Sequence, residues 1–133
     1  MSMYRDYILD HYKNPRNRGV LVDFTHYSGK INNPLCGDEL EVWIKSSPAT
    51  GIEGISFDGH GCAICIASAS LLTEWAKERT IQDIQQMNSE TVINVLGIPL
   101  TPIRLQCALL ARDGLWQALR DSPIIYVRRY FKN

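Results

Sequence analysis

The sequence contains no long apolar run, because polar or charged residues interrupt every apolar stretch within a few positions. A membrane-spanning helix needs roughly 20 apolar residues in succession, so we expect no transmembrane segment. The stretch from Met1 to Arg18 mixes acidic, basic and histidine residues and lacks the apolar core and cleavage site of a secretory signal. These absences predict a cytoplasmic protein that does not act at a membrane.

An excess of either charge is also absent, since 14 Lys and Arg residues balance 14 Asp and Glu residues. Nucleic-acid binders usually carry a basic excess, so we expect no nucleic-acid partner. Repeats, low-complexity segments and internal linkers are missing as well, and the 45% hydrophobic content is typical of a globular protein. A length of 133 residues suits one hydrophobic core, which predicts a single domain over 1–133.

The first half of the chain carries one helical pattern followed by strand patterns. Apolar residues recur at helical spacing over 2–13, and Asn14-Pro15 ends that helix. A short strand is predicted over 27–32. Polar and apolar residues alternate over 39–45, and after a Pro- and Gly-containing turn a second strand pattern covers 54–58. These two segments predict a β-hairpin.

The second half is helical. A long helix is predicted over 62–79, followed by two short helices capped by Thr80 and Ser89, and by a last helix that begins near Pro102 and ends by Pro123. Strands and helices are therefore segregated along the chain. This order indicates an α+β fold, with helices packed on one face of a small antiparallel sheet.

The four cysteines are candidates for ligands or reactive thiols, because disulfide frameworks are rare in reducing compartments. Cys36 and Asp38 flank Gly37 in a predicted tight turn, where the glycine lets both side chains point at one centre. Thiolate and carboxylate are suitable ligands for zinc or iron. The alternative is a surface turn with an incidental cysteine.

Cys62 follows Gly59-His60-Gly61 and opens the long helix, where the helix dipole and unpaired amides favour a thiolate. Cys65 completes a CxxC pattern that is compatible with dithiol redox chemistry, but no βαβ pattern surrounds it. We therefore expect Cys65 to be a core residue or an auxiliary thiol. His60 is a candidate ligand or a loop hinge, and His11 and His26 have no assigned role.

Cys107 lies in the first turns of the last predicted helix, three residues after Arg104. That spacing places the two residues on one helix face, so the arginine could stabilise a thiolate or a bound sulfur anion. Arg104 could equally be a solvated surface charge. Together, Cys36, Asp38, Cys62 and Cys107 could close a tetrahedral metal site from distant parts of the chain.

Four stretches of the sequence resemble a known family, the iron–sulfur cluster assembly scaffolds of the IscU, SufU and NifU N-terminal type. The matching stretches, in chain order, are Tyr12 to Asn17, Asn33 to Asp38, Gly59 to Ile64 with Ala67 to Ser70, and Arg104 to Cys107. The resemblance implies a three-stranded antiparallel sheet with helices on one side. It also implies a core of about 4–120, leaving 121–133 as a C-terminal extension that could pack or form a homo-oligomer.

The same resemblance implies a function for the predicted site. Cys36, Cys62 and Cys107 would hold a transient iron–sulfur cluster, expected to be 2Fe-2S, with Asp38 as a weaker fourth ligand. The implied partners are a cysteine desulfurase that supplies sulfur and the apo-proteins that receive the cluster. We expect Cys107 to accept a persulfide sulfur, supported by Arg104.

Two departures from the family leave its branch open. Gln106 stands where the branch served by a dedicated chaperone carries histidine, and the step from Cys62 to Cys107 is too short for the insertion typical of SufU. One alternative hypothesis is therefore a zinc-dependent sulfurtransferase, which would hold Zn2+ in the same site, accept persulfide sulfur from the desulfurase and activate that desulfurase. A second alternative is a structural zinc domain.

Overall fold

The computed structural model describes residues 2–120, which form one helix, four strands and then four helices. The elements are α1 (Ser2–Lys13), β1 (His26–Tyr27), β2 (Ile31–Asn33), β3 (Asp38–Ser47), β4 (Gly51–His60), α2 (Ala63–Lys77), α3 (Ile81–Gln85), α4 (Ser89–Leu96) and α5 (Pro102–Arg120). This order confirms the predicted α+β fold. The extension predicted over 121–133, and the end predicted for the last helix, lie outside the described residues. No helix within 2–120 is long and apolar enough to cross a membrane.

The sheet is antiparallel and is organised around β3. Strand β4 pairs with β3 from Glu39, opposite His60, to Ser47, opposite Gly51. Strand β2 pairs with the start of β3 and β1 pairs with its middle, and the two share one edge of β3 because β4 occupies the other. The part of the chain that the structure describes therefore has four strands, where the family resemblance implied three. Two short strands together take the position expected for the third.

The prediction of a single strand over 27–32 is wrong, because the chain leaves the extended conformation between β1 and β2. Gly29 has a φ of +74°, a left-handed conformation that interrupts a strand. The Ser28 amide still donates to the Val42 carbonyl at 2.9 Å, so the interruption begins after that residue. The predicted hairpin is confirmed, with both strands longer than the sequence pattern indicated.

The predicted helices are confirmed, with one cap corrected. Thr80 caps α3: its hydroxyl accepts from the Asp83 amide, and the Asp83 carboxylate accepts from the Thr80 amide. The cap of α4 is Asn88, whereas the sequence analysis predicted Ser89. The Asn88 side-chain oxygen accepts from the Thr91 amide at 2.9 Å, and this leaves Ser89 inside the first turn.

The hydrophobic core lies between the sheet and helices α2 and α5. Leu40, Val42 and Ile44 of β3 are at most 1% exposed, because alternate residues of a strand face the same side. Gly114 of α5 faces this side, and a Cβ atom there would lie 2.6 Å from Val42 Cγ2. The missing side chain lets α5 approach the sheet closely, which helps to place the first turns of α5 beside the β2–β3 turn.

A buried histidine connects α1 to α2. His11 is 6% exposed, and its Nδ1 lies 2.7 Å from Ser70 Oγ. The same hydroxyl oxygen accepts from the Arg16 amide at 2.9 Å. Burial lowers the pKa of His11 from its ordinary value, and the positive charge of Arg16 acts in the same direction. The fold therefore favours the neutral imidazole.

The buried neutral His11 predicts that stability falls in mild acid. A histidine in the unfolded chain titrates near pH 6.5, roughly, so the unfolded state takes up the proton first as pH falls. The contribution of His11 to the free energy of unfolding should be complete at a pH above the pKa of His11 in the unfolded chain. It should decline as the pH falls from there towards the lower pKa of His11 in the folded protein. Urea denaturation of the metal-free protein at about pH 7.5 and about pH 5.5 measures this change. A His11→Gln variant should lose less stability over the interval, and an equal loss in both proteins would contradict the account.

Candidate metal centre

The turn between β2 and β3 positions Cys36 beside Asp38. The Leu35 amide donates to Asn33 Oδ1 at 3.1 Å, and the Gly37 amide donates to the Asn33 carbonyl at 2.9 Å. Gly37 has a φ of +73°, the conformation for which the sequence analysis required a glycine. Cys36 is exposed, whereas Asp38, the first residue of β3, is buried. The turn therefore places an accessible thiol next to a buried carboxylate.

Cys62 is the N-cap of α2, and its Sγ accepts from the Cys65 amide at 3.4 Å. The passage from β4 to α2 depends on glycine. Gly59 has a φ of +140°, and a Cβ atom there would lie 2.1 Å from the Glu39 carbonyl oxygen. Only a residue without a side chain allows the end of β4 to pair with β3 and still deliver Cys62 to the helix start.

Cys107 lies near the start of α5 and is 3% exposed. The Asn33 side-chain amide donates to its Sγ at 4.0 Å. Burial raises the pKa of the Cys107 thiol, and the nearby side chains of Cys36 and Cys62 add to the increase. In the metal-free protein this residue is therefore a thiol, and metal binding would have to displace its proton.

The four residues predicted as ligands converge. Cys36 Sγ lies 3.3 Å from Cys107 Sγ and 3.0 Å from Asp38 Oδ2, and the ligand atoms of these three residues all lie within 4.8 Å of one another. Cys62 Sγ lies 3.7 Å from Asp38 Oδ2. The β2–β3 turn, the start of β3, the start of α2 and the first turns of α5 thus supply one side chain each. Their ligation of a metal stays a prediction.

The two carboxylate oxygens of Asp38 have different partners. Oδ1 accepts from the Cys62 amide at 3.0 Å, whereas Oδ2 accepts from the Cys36 thiol. Burial alone would raise the pKa of Asp38. The hydrogen bonds to its carboxylate outweigh the effect of burial and lower the pKa, and the largest of these contributions come from the Cys36 thiol and then the Cys62 amide. Asp38 is therefore a charged group with one oxygen directed at the sulfur atoms. Three thiols and one carboxylate oxygen suit tetrahedral zinc or iron.

Cys65 is fully buried, as expected of a core residue. A Cβ atom on Gly61 would lie 2.9 Å from Cys65 Sγ and 2.8 Å from Asp38 Oδ1, so the bare glycine backbone fills the space beside both groups. Burial raises the pKa of the Cys65 thiol, and the negative charge of Asp38 adds to the increase. A buried protonated thiol is not suited to dithiol exchange at the surface.

The remaining candidate residues lie at the edge of this centre or away from it. Arg104 is exposed on the first turn of α5 and lines a groove together with Cys62, so its support of Cys107 stays a prediction. His60 is exposed at the end of β4. The sequence analysis missed the contact of Asn33 with Cys107 and the space that Gly61 provides. The turn-forming pair Asn33-Pro34 is the sequence signal that pointed to the turn from which Asn33 contacts Cys107.

Replacing Gly61 by alanine should weaken metal binding. The added methyl group would overlap the Asp38 carboxylate and displace it from the sulfur atoms. Losses of about 10–100-fold in affinity are typical when a group that orients a ligand is changed. Titration of the reduced apoprotein with Co2+, followed by its thiolate absorption bands, measures the affinity.

Gly54→Ala is the matched control for this experiment, because its new Cβ atom would make only ordinary contacts, 3.6 Å from the Leu21 side chain. The control should bind Co2+ as the wild type does. Wild-type affinity in Gly61→Ala would show that the position of Asp38 does not matter for metal binding.

Comparison with known proteins finds similar sequences and structures. The family model described as the NifU-like N-terminal domain matches residues 3–128. The chain is 38% identical over 120 residues to the iron–sulfur cluster assembly scaffold protein IscU of Azotobacter vinelandii, covering 89% of this chain and 92% of that protein. It is 36% identical over 120 residues to the protein of the same name from Buchnera aphidicola, covering 89% of this chain and 93% of that protein.

A solved structure from Fervidobacterium islandicum, described as a candidate iron–sulfur cluster assembly scaffold for the SUF system, is also similar. It superimposes with a TM-score of 0.73 at 26% sequence identity, covering 86% of this chain and 94% of that chain. The similarity therefore extends over most of both molecules.

Proposed function

Because the chain belongs to the NifU-like N-terminal domain family, we propose that it is a scaffold on which iron and sulfur are assembled into a cluster and passed to apo-proteins. The observation that carries the proposal is the convergence of three thiols and one carboxylate from four separate elements. The names of the relatives, which cover about nine-tenths of the chain, support the same function. The proposed partners are a cysteine desulfurase and the recipient proteins, in the cytoplasm.

The exposure of the ligands suits a centre that is loaded from one side. Cys36 and Cys62 are exposed, whereas Asp38 and Cys107 are buried. Incoming iron and sulfur would meet the two exposed thiols first, and the buried pair would complete the ligand set. The persulfide acceptor predicted from the sequence, Cys107, stays a prediction, and the scaffold proposal holds whichever thiol receives sulfur first.

Asp38 supplies the property that distinguishes a scaffold from a permanent site. A carboxylate oxygen is a harder ligand than a thiolate and binds iron in a sulfide-bridged cluster less tightly. The hydrogen bond from the Cys62 amide to Oδ1 draws charge from the carboxylate and weakens it further as a donor. The cluster is therefore bound firmly by three residues and weakly by one, which favours release.

Four ligands fit a 2Fe-2S cluster, in which each iron takes two protein ligands. The same donor set also fits one zinc ion, so the zinc-dependent sulfurtransferase is the alternative function. The similarity to the structure described for the SUF system favours keeping that alternative. In both proposals the protein accepts sulfur from a desulfurase, and they differ in whether the site then builds a cluster.

Anaerobic reconstitution distinguishes the two functions. Reduced protein with ferrous iron, cysteine, a cysteine desulfurase and an excess of dithiothreitol, which reduces the persulfide sulfur to sulfide, should develop the visible and Mössbauer spectra of a 2Fe-2S cluster, which apo-ferredoxin then removes. Retention of stoichiometric zinc with no cluster, while the protein still accelerates the desulfurase, would reject the scaffold and leave the sulfurtransferase.

Asp38→Ala should lengthen the lifetime of the assembled cluster in thiol-containing buffer. The variant removes the weak carboxylate ligand and opens the position to a thiolate, which binds iron more tightly. Raising the barrier to release by about 1.4 kcal/mol would slow the decay of the cluster spectrum roughly tenfold. Asp113→Ala, an exposed site on α5, is the control and should decay at the wild-type rate. Faster decay of the Asp38→Ala cluster would refute the role given to this carboxylate.

A further inference from the structure

A groove opens directly beside Cys62. It lies between α1, the start of α2 and the segment that joins α4 to α5, and its volume is about 590 Å3. This volume falls within the range typical of small-molecule sites. The walls are largely apolar, with Ile8 and Leu9 from α1 opposite Ile98 and Pro99. The scaffold function proposed above leaves this groove unexplained.

The charges along the groove have one sign. Arg5 and Arg104 line it, and among the residues that the structure describes no acidic side chain does so. Both arginines are exposed, and neither forms an ion pair with an acid among residues 2–120. Three other arginines of the described structure, Arg16, Arg18 and Arg112, do pair with an acid. Two unpaired guanidinium groups beside an apolar wall are complementary to a ligand that carries carboxylates on an aliphatic body.

Cys62 adds a chemical function to this complementarity. It is the cysteine that lines the groove, it is exposed, and its Sγ accepts from the Cys65 amide. On its other side the same sulfur faces Asp38 Oδ2. Cys62 therefore connects the groove to the metal centre, so that sulfur received from the groove would already lie at the point of cluster assembly.

We propose that the groove binds a small carboxylate-bearing persulfide, which transfers its outer sulfur atom to Cys62 without a protein donor. The inference rests on the proposed function, because a scaffold needs bound sulfur at this position. The arginines would hold the carboxylates, the apolar walls would contact the aliphatic part, and the sulfur end would meet Cys62.

The transfer step is balanced and needs no oxidant. The Cys62 thiolate attacks the outer sulfur of the donor R–S–SH, forming a bond between Sγ and that sulfur. The S–S bond of the donor breaks, the proton stays on the transferred sulfur, and the donor leaves as the thiolate R–S⁻. Cys62 becomes a persulfide and the donor becomes the corresponding thiol, so the oxidised sulfur changes carrier with no net redox change.

The test uses glutathione persulfide as the probe, with reduced metal-free protein and no desulfurase. Alkylation and mass spectrometry follow the persulfide formed at each cysteine. The expected product is a one-sulfur adduct at Cys62 that forms ahead of adducts at Cys36 and Cys107. The combined substitution of Arg5→Gln and Arg104→Gln should slow its formation about tenfold, the effect of losing two modest ion pairs.

Two controls separate recognition in the groove from general charge attraction. Arg79→Gln with Arg120→Gln removes the same net charge at the C-terminal ends of α2 and α5, away from the helix starts that line the groove, and should leave the rate at Cys62 nearly unchanged. Glutathione persulfide dimethyl ester, which lacks the carboxylates, should react at similar rates with the wild type and the groove variant.

Three results would overturn the proposal: equal rates for the wild type and the groove variant, an equal loss in the control variant, or a glutathione mixed disulfide as the product at Cys62. None of these bears on cluster assembly with a desulfurase, which is measured separately. Normal persulfide transfer in a protein that never builds a cluster would instead reject the proposed function and leave the groove assignment intact.

Discussion

The hydrogen bond from the Cys62 amide to Asp38 Oδ1 joins the two parts of the molecule that the centre needs. It ties the first residue of β3 to the start of α2, and it leaves Oδ2 directed at the sulfur atoms of Cys36 and Cys62. Gly61 makes the contact possible, because any Cβ atom there would occupy the space of the carboxylate. The remaining ligand, Cys107, is brought to this junction by α5, which Gly114 allows to lie close to the sheet.

The centre has an accessible side and a closed side. Cys36 and Cys62 are exposed, whereas Cys107 and Cys65 are buried, and burial raises the pKa of both buried thiols. Cys65, which lies in the core outside the proposed ligand set, therefore contributes packing and not nucleophilicity. The exposed pair is thus the natural point of entry for sulfur, and the groove beside Cys62 gives that entry a defined direction and a preferred charge.

The fold class and the pairing of Cys36 with Asp38 could be predicted because each depends on local pattern. Alternation identified the β3–β4 hairpin, and the turn chemistry around Gly37 placed Cys36 beside Asp38. The association of Cys107 with the other three came from the resemblance to a known family, since no local pattern reports how α5 packs. The division between β1 and β2 depends on one positive φ at Gly29, and the groove depends on how three elements meet. Neither leaves a periodic signal in the sequence.

The central claim is that three sulfur atoms and one carboxylate oxygen form one ligand set, which would hold a single metal ion or be divided between the two irons of a cluster. X-ray absorption spectroscopy of the protein loaded with a single Zn2+ measures this ligand set directly. The account predicts three sulfur ligands at about 2.3 Å and one oxygen ligand at about 2.0 Å. In Asp38→Ala the protein oxygen should be lost while the three sulfur ligands remain. A shell of four sulfur atoms in the wild type, which would require Cys65 as a ligand, or the multiple-scattering pattern of an imidazole from His60, would contradict it.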